Sequence, residues 1–284
     1  MEEDLVKNPP PCRLAFTRMV NRPEPAIDLA EAALLIAKEE CPDLDIARYL
    51  LRLDGMAADV RNRAGGADDP ALLFTDLGDY LFREQGFRGD AENYYDPRNS
   101  FLNEVLDRRL GIPISLSAVY MEVGRRLGVR LHGVGMPGHF LVKYTGSNEE
   151  VIVDPFHGGA ILSPADCQRI LDRVYGGKVG FEPRFLDPIG TRQILIRMLG
   201  NLKAIHFNLR AYARTLSAVE RLLILNPHAA NEVRDRGLLC CQLGRYPEAA
   251  VDLEQYLRLV PKAPDAEVIR DHLRSVRLRS ASMN

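Results

Sequence analysis

The chain has 284 residues, of which 46% are hydrophobic and 27% charged, and its formal net charge is −2. That composition suits one large or two smaller globular domains, and the near-neutral balance excludes bulk attraction to nucleic acid or to an anionic membrane. Five cysteines without a C-x-x-C spacing predict reduced thiols in a cytoplasmic protein rather than a disulfide framework.

Residues 1–25 read as a flexible leader, acidic and then Pro-rich, without the basic and apolar regions of a signal peptide. Three helices are expected next. In the first, Leu29, Ala32, Ala33, Ile36 and Ala37 share a face, Asp28 and Lys38 suit the helix dipole, and Cys41-Pro42 ends it. Asp45 caps the second, which breaks at Gly65-Gly66. The third follows Asp68-Asp69-Pro70 and stops at Gly86, with Leu73, Leu77, Tyr80 and Leu81 inward. No apolar run is long enough to span a membrane before a charge interrupts it.

Phe87 to Pro97 reads as a loop, and Asn93 to Tyr95 as a lip over a pocket. Asn99 or Ser100 caps a short helix through Arg109. Asn103 and Glu104 read either as supporting the pocket or, more simply, as lying on the helix's solvated face, with Arg108-Arg109 and Arg125-Arg126 as solvated helix ends.

The stretch from Ile112 to Gly159 organises the chain. Pro113 is tolerated only in a first helical turn, so a helix begins between Ile112 and Ile114 and ends at Gly128. Two antiparallel strands follow, around a turn at Thr145 to Asn148. That turn sets a register with His139 opposite Asp154 and Lys143 opposite Glu150. Phe140, Val142, Tyr144, Val151 and Val153 then point the other way, as a half-buried hairpin requires.

A His oriented by an Asp is two-thirds of a nucleophilic triad. The third member belongs at a helix N-terminus, where the dipole lowers a nucleophile's pKa and backbone N–H groups can hold an oxyanion. The helix start offers Ile114, Ser115, Leu116 and Ser117, and Cys41 and Cys167 lie outside the segment. Ser115 and Ser117 therefore read in two ways: as the nucleophile of a Ser–His–Asp triad, or as cap and packing residues, the commoner role of serine there. His157 reads either as lining the same pocket or, the commoner case, as sitting in a turn with an exposed ring. His132, His139 and His157 lack metal-ligand spacing, so no metal and no cofactor is expected.

Ser163 caps a further helix with Pro164 in its first turn, and a boundary is expected at 187–191. That assigns 26–187 to one domain and 191–284 to a helical remainder. In the remainder, Tyr212 and Tyr246 lie 34 residues apart, as do Leu209 and Leu243, Leu225 and Leu259, and Pro227 and Pro261. A 34-residue helix–turn–helix period is the signature of tetratricopeptide repeats. The second copy is the fuller one, with Gly237, Leu243-Gly244, Tyr246, Ala249, Leu253 and Pro261 at repeat positions. The first has Lys203 and Thr215 in place of Gly237 and Ala249, and a last helix caps the stack.

NSFLNEVLDRRLGIPISLSAVYMEVGRRLGV, GMPGHFLVKY and VDPFHGG resemble the SirB-type transglutaminase-like family, and the repeat tail matches that family's usual C-terminus. A similar segment occurs in some F-box proteins. The resemblance implies an α+β fold: a transglutaminase-like (papain-like) core with a small antiparallel sheet and surrounding helices, followed by an all-α tetratricopeptide segment. It implies that His139 and Asp154 hold the His and Asp places of that superfamily's triad. The Cys place falls near Ile114 to Ser117, where there is no cysteine. The expected function is thus that of a pseudoenzyme, an interaction or regulatory protein. Its partner would be a protein or peptide, held through the repeats and the His139/Asp154 pocket, with no nucleic acid and no membrane. The alternative is a hydrolase or acyl transferase using Ser115 or Ser117, His139 and Asp154.

Overall fold

The structure, a computed structural model, describes residues 10–66, 68–147 and 149–282. Residues 1–9 of the expected leader and Asn148 of the expected turn lie outside them. The chain divides into two compact units, Met1–Met198 and Leu199–Asn284. The division falls after the Pro- and Gly-rich text at 187–191, because Thr191–Asn208 is one uninterrupted helix. Its early residue Ile194 is buried and packs at Gly133 of the first unit.

The first unit opens with α1 (Pro11–Val20), where a flexible leader was expected. Phe16, Met19 and Val20, at helical spacing, are buried, and α1 packs along α2 (Leu29–Glu40). This apolar stripe is the part of the leader that its proline and charge content concealed. The next helices are each capped by an aspartate, of which Asp45 is the cap expected from the sequence. Asp28 accepts from the Glu31 amide at α2, Asp45 from Arg48 at α3 (Ile46–Arg63), and Asp69 from Ala71 at α4 (Pro70–Gly78). Beyond α4 the chain widens into a π-helical turn, Asp79–Glu84, with the Gln85 amide reaching back to the Tyr80 carbonyl.

Strand β1 (Arg88–Gly89) pairs in parallel with β2 (Leu110–Gly111), and α5 (Leu102–Arg108) lies between them in sequence. The central helix is α6 (Pro113–Leu127), closed by Gly128 in the left-handed conformation. Nearly all of it is buried. It supports β3 (Leu131–Val134) and β4 (Leu141–Thr145) of a sheet that also holds β5 (Glu150–Asp154), β6 (Ala160–Leu162) and β7 (Pro188–Ile189). The strand order is β6-β5-β4-β3-β7, with every pair antiparallel.

Two expectations for the hairpin need correction. The register differs by two residues: Val142 pairs with Val153, Lys143 with Ile152 and Thr145 with Glu150. After Thr145, the Gly146 amide bonds the Glu149 carbonyl and leads into the pairing at Glu150. A two-residue slip leaves every side chain on its face, so the anticipated partners meet as diagonal neighbours, with Lys143 Nζ 2.9 Å from Glu150 Oε2. The hairpin is also not half-buried. Leu141 and Ile152, on the face opposite Val142 and Tyr144, are buried against Cys167 and Leu171 of α7 (Pro164–Tyr175).

The second unit begins within α8 (Thr191–Asn208) and continues through α9 (Tyr212–Leu225), α10 (Ala230–Gln242), α11 (Tyr246–Leu259) and α12 (Ala266–Ser282). Helices α9 and α11 start and end 34 residues apart, as the repeat requires. Leu216, Val219, Val233, Leu239, Leu253, Tyr256 and Ile269 share its core. Gly237 lets α10 and α11 approach closely: a Cβ there would stand 2.9 Å from Leu253. Lys203, at the same place in the first copy, instead pairs with Glu232 and Asp235 at 2.7 and 2.6 Å.

Candidate functional site

His139 lies in the loop before β4, just after Gly138, whose φ of +72° turns the chain into the strand. Its amide bonds the Met136 carbonyl at 3.2 Å. Its carbonyl accepts from Arg197 of α8 at 3.0 Å, and the same guanidinium nitrogen reaches the Met136 carbonyl at 3.3 Å. The guanidinium also lies 5.4 Å from the Phe140 ring centroid. Arg197 is a positioning residue that sequence reasoning missed. Its signal was a charge set among Ile194, Leu195 and Met198, all buried.

Asp154, 1% exposed, ends β5 and caps a short 3-10 turn, Pro155–His157. Its Oδ1 accepts from the amides of Phe156 at 3.0 Å and His157 at 3.3 Å. Its Oδ2 takes His139 Nε2 at 2.9 Å and His157 Nδ1 at 2.7 Å. An ionised carboxylate only accepts, so both ring nitrogens present protons to it. Burial pushes the Asp154 pKa up, but the hydrogen bonds and charges of His139 and His157 outweigh it and hold the carboxyl below its ordinary 3.8. His157 thus belongs to the centre and to a turn at once, its side chain 49% exposed.

Aromatic rings wall the site. Phe156 stands edge-on to His139 with centroids 6.2 Å apart, Tyr94 lies 6.0 Å from Phe156, and Tyr95 lies 5.3 Å from Tyr94. Of the segment read as a lip, Tyr94 meets Phe156 and Tyr95 meets Tyr94 alone. Phe156 needs Gly89, where a Cβ would fall 2.5 Å from its ring.

The serines are placed differently. Ser115 is fully buried; its Oγ lies 2.6 Å from the Asn99 carbonyl and 3.1 Å from the Ile112 carbonyl, and it accepts from the Ile112 amide at 3.1 Å. Asn99 in turn donates to Asp90 Oδ2 at 3.1 Å and to the Asn93 carbonyl at 2.8 Å, and accepts from Arg108 at 3.1 Å. Ser115 is therefore one member of a buried polar network tying the 87–99 loop to the start of α6. Ser117 is also fully buried, and its Oγ has no hydrogen-bond partner among the described residues. Neither hydroxyl bonds to His139, whose side-chain hydrogen bond goes to Asp154.

We expect Ser115→Ala to destabilise the fold by ~1–2 kcal/mol, because it strips a helix-start cap, removes the hydroxyl between the Asn99 and Ile112 carbonyls, and leaves the Ile112 amide only its longer bond to the Asn99 carbonyl. Ser117→Ala is expected to fall within ~0.5 kcal/mol of wild type or above it, since it removes a buried hydroxyl that gains no bond. Urea denaturation of both variants checks the contrast. Equal losses would contradict it.

Other expectations change too. Asn103 is buried, with its Oδ1 unpartnered, rather than on a solvated face. Arg108 and Arg126 are not free helix ends. Arg108 enters the Asn99 network, and Arg126 bridges Asp54 and Glu122, both at 2.6 Å. Cys167 is buried beneath the hairpin; burial, then the charges of Asp166 and Asp154, push its thiol up. Burial also raises Cys41, Cys240 and Cys241, with Cys240 pushed up to about 12. None of these four thiols is poised as a thiolate at neutral pH.

A helix leading into a small antiparallel sheet, with His before one strand and Asp at the end of the next, is a transglutaminase-like arrangement. The chain matches the transglutaminase-like superfamily over residues 47–200 and a tetratricopeptide repeat family over residues 202–274. It belongs to the transglutaminase-like superfamily, and within it to the group of UPF0162 proteins. It is 38% identical over 253 residues to a UPF0162 protein of Xylella fastidiosa, covering 87% of this chain and 89% of the relative. A UPF0162 protein of Pseudomonas aeruginosa is 35% identical over 238 residues, covering 81% and 84%. F-box only protein 21 of Pongo abelii is 27% identical over 190 residues, 63% of this chain but 30% of that protein. No solved structure matches the chain significantly. Among the described residues, no helix is long and apolar enough to cross a membrane.

Proposed function

We propose that this chain is a non-catalytic interaction protein whose tetratricopeptide unit binds a protein or peptide partner, and whose transglutaminase-like unit keeps the His–Asp pair of its superfamily without a working nucleophile. The observation that carries the reading is Ser115, whose hydroxyl is engaged with the backbone of Asn99 and Ile112 and not with His139. The helix start has no cysteine, and Cys167 is raised by burial rather than activated. The repeat unit adds a surface of a kind that generally mediates protein association.

Two measurements test it on the full chain. A fluorophosphonate probe should leave the wild type unlabelled. Affinity capture, followed by titration with the purified captured protein, should give saturable binding that persists in His139→Ala. Covalent labelling that Ser117→Ala or Ser115→Ala abolishes, while the variant stays folded, would overturn the reading in favour of a serine hydrolase or acyl transferase.

A further inference from the structure

We propose that His139, Asp154 and His157 form a binding site for one divalent transition-metal ion of the zinc class. The ligating atoms already converge. His139 Nε2 and His157 Nδ1 both point at the same oxygen, Asp154 Oδ2, from 2.9 and 2.7 Å, and one ligand atom from each of the three residues lies within 4.8 Å of the others. Spacing among His132, His139 and His157 hid this set, because the third ligand is not His132, which lies exposed on β3, but the buried carboxylate between the other two.

The donor chemistry selects the ion. Two imidazoles and one carboxylate suit zinc, cobalt and nickel better than magnesium or calcium, which prefer all-oxygen shells. Zinc-to-ligand distances are about 2.0–2.2 Å, so admitting an ion at a tetrahedral angle requires the N···O separations to open to ~3.3 Å. His157, with its side chain 49% exposed, can swing outward, and the buried His139 ring has to open its 2.9 Å separation by only ~0.4 Å, a small ring rotation. The carboxylate needs no rearrangement. Its Oδ1 is held by the amides of Phe156 and His157, which leaves Oδ2 as a fixed monodentate ligand. The proton balance closes without another reactant: the N–H proton that each ring directs at Asp154 is displaced as the metal takes its place, and passes to the ring's other nitrogen or, from a ring already protonated there, to solvent. Three protein ligands leave a fourth coordination position open. That position would take a water or a carboxylate or carbonyl oxygen of a bound peptide.

The experiment uses the full chain, stripped with chelator and titrated with Co²⁺ by visible absorption and with Zn²⁺ by calorimetry. One ion per chain is expected for each metal, with a cobalt d–d spectrum of a nitrogen- and oxygen-ligated site. His139→Ala and His157→Ala should each weaken binding by ~100-fold or more. His157→Ala serves as the variant least able to disturb folding, and thermal melting without metal confirms that it is folded. A zinc-dependent rise in wild-type Tm should vanish in that variant. Absence of saturable binding, or binding that survives both substitutions unchanged, would overturn the proposal and leave the three residues as a purely hydrogen-bonded cluster.

Discussion

Asp154→Ala is expected to destabilise the first unit by ~3–5 kcal/mol, read as a lower urea midpoint at constant slope. The carboxylate accepts four hydrogen bonds while 1% exposed. Its removal strands two backbone amides and the His139 ring nitrogen in surroundings with little water to replace it. Asp154→Asn keeps the shape. Its carbonyl oxygen can still cap the Phe156 and His157 amides, and its amide can donate to rings that switch tautomer, so a smaller loss of ~1–2 kcal/mol is expected. The acid limb separates the two states of the carboxyl. A pKa held below 3.8 in the fold means that the stabilisation is complete above 3.8 and is lost as pH falls through the folded value. Wild type should therefore lose stability below that point, and Asp154→Asn should lack this contribution. Equal urea midpoints for Asp154→Ala and wild type would show that Asp154 is not a structural hub.

The meeting of His139 with Asp154 was legible because two signals agreed: alternation of apolar residues along both strands, and turn residues between them. The register was not, since a slip of two residues preserves the alternation and only the turn geometry decides it. The helix carrying Ser115 could be placed from Pro113 and Gly128, but the destination of the Ser115 hydroxyl could not. Its partner, the Asn99 carbonyl, lies 16 positions away, beyond α5 and β2, on a residue whose side chain is held by Asp90 and Arg108. Arg197 was hidden for the same reason, being 58 positions from the carbonyl it holds. Local spacing reads caps, periods and faces; a hydrogen bond that closes over a long loop leaves no local trace. The leader failed differently. Phe16, Met19 and Val20 do have helical spacing, and the prolines before them start the helix rather than prevent it.

In the second unit the largest expected effect is on pH dependence. His206 of α8 is 3% exposed, and its Nδ1 has no hydrogen-bond partner among the described residues. Burial, followed by the positive charges of Arg214 and Arg221, lowers its pKa from the usual 6.5 to about 4. The fold therefore holds the neutral ring, and the unfolded chain takes up the proton first as pH falls. Stability owed to the neutral ring is complete above 6.5 and is lost between 6.5 and about 4. The full loss from this group is ~3 kcal/mol at most. His206→Leu, which has no proton to bind and buries no unpaired nitrogen, should match or exceed wild-type stability at neutral pH and show a flatter curve across that window. The measurement is urea denaturation at a series of pH values, following the helical signal. If the two curves run parallel from 6.5 down to 4, the buried imidazole is not what the acid attacks, and the charges of Arg214 and Arg221 are screened from it.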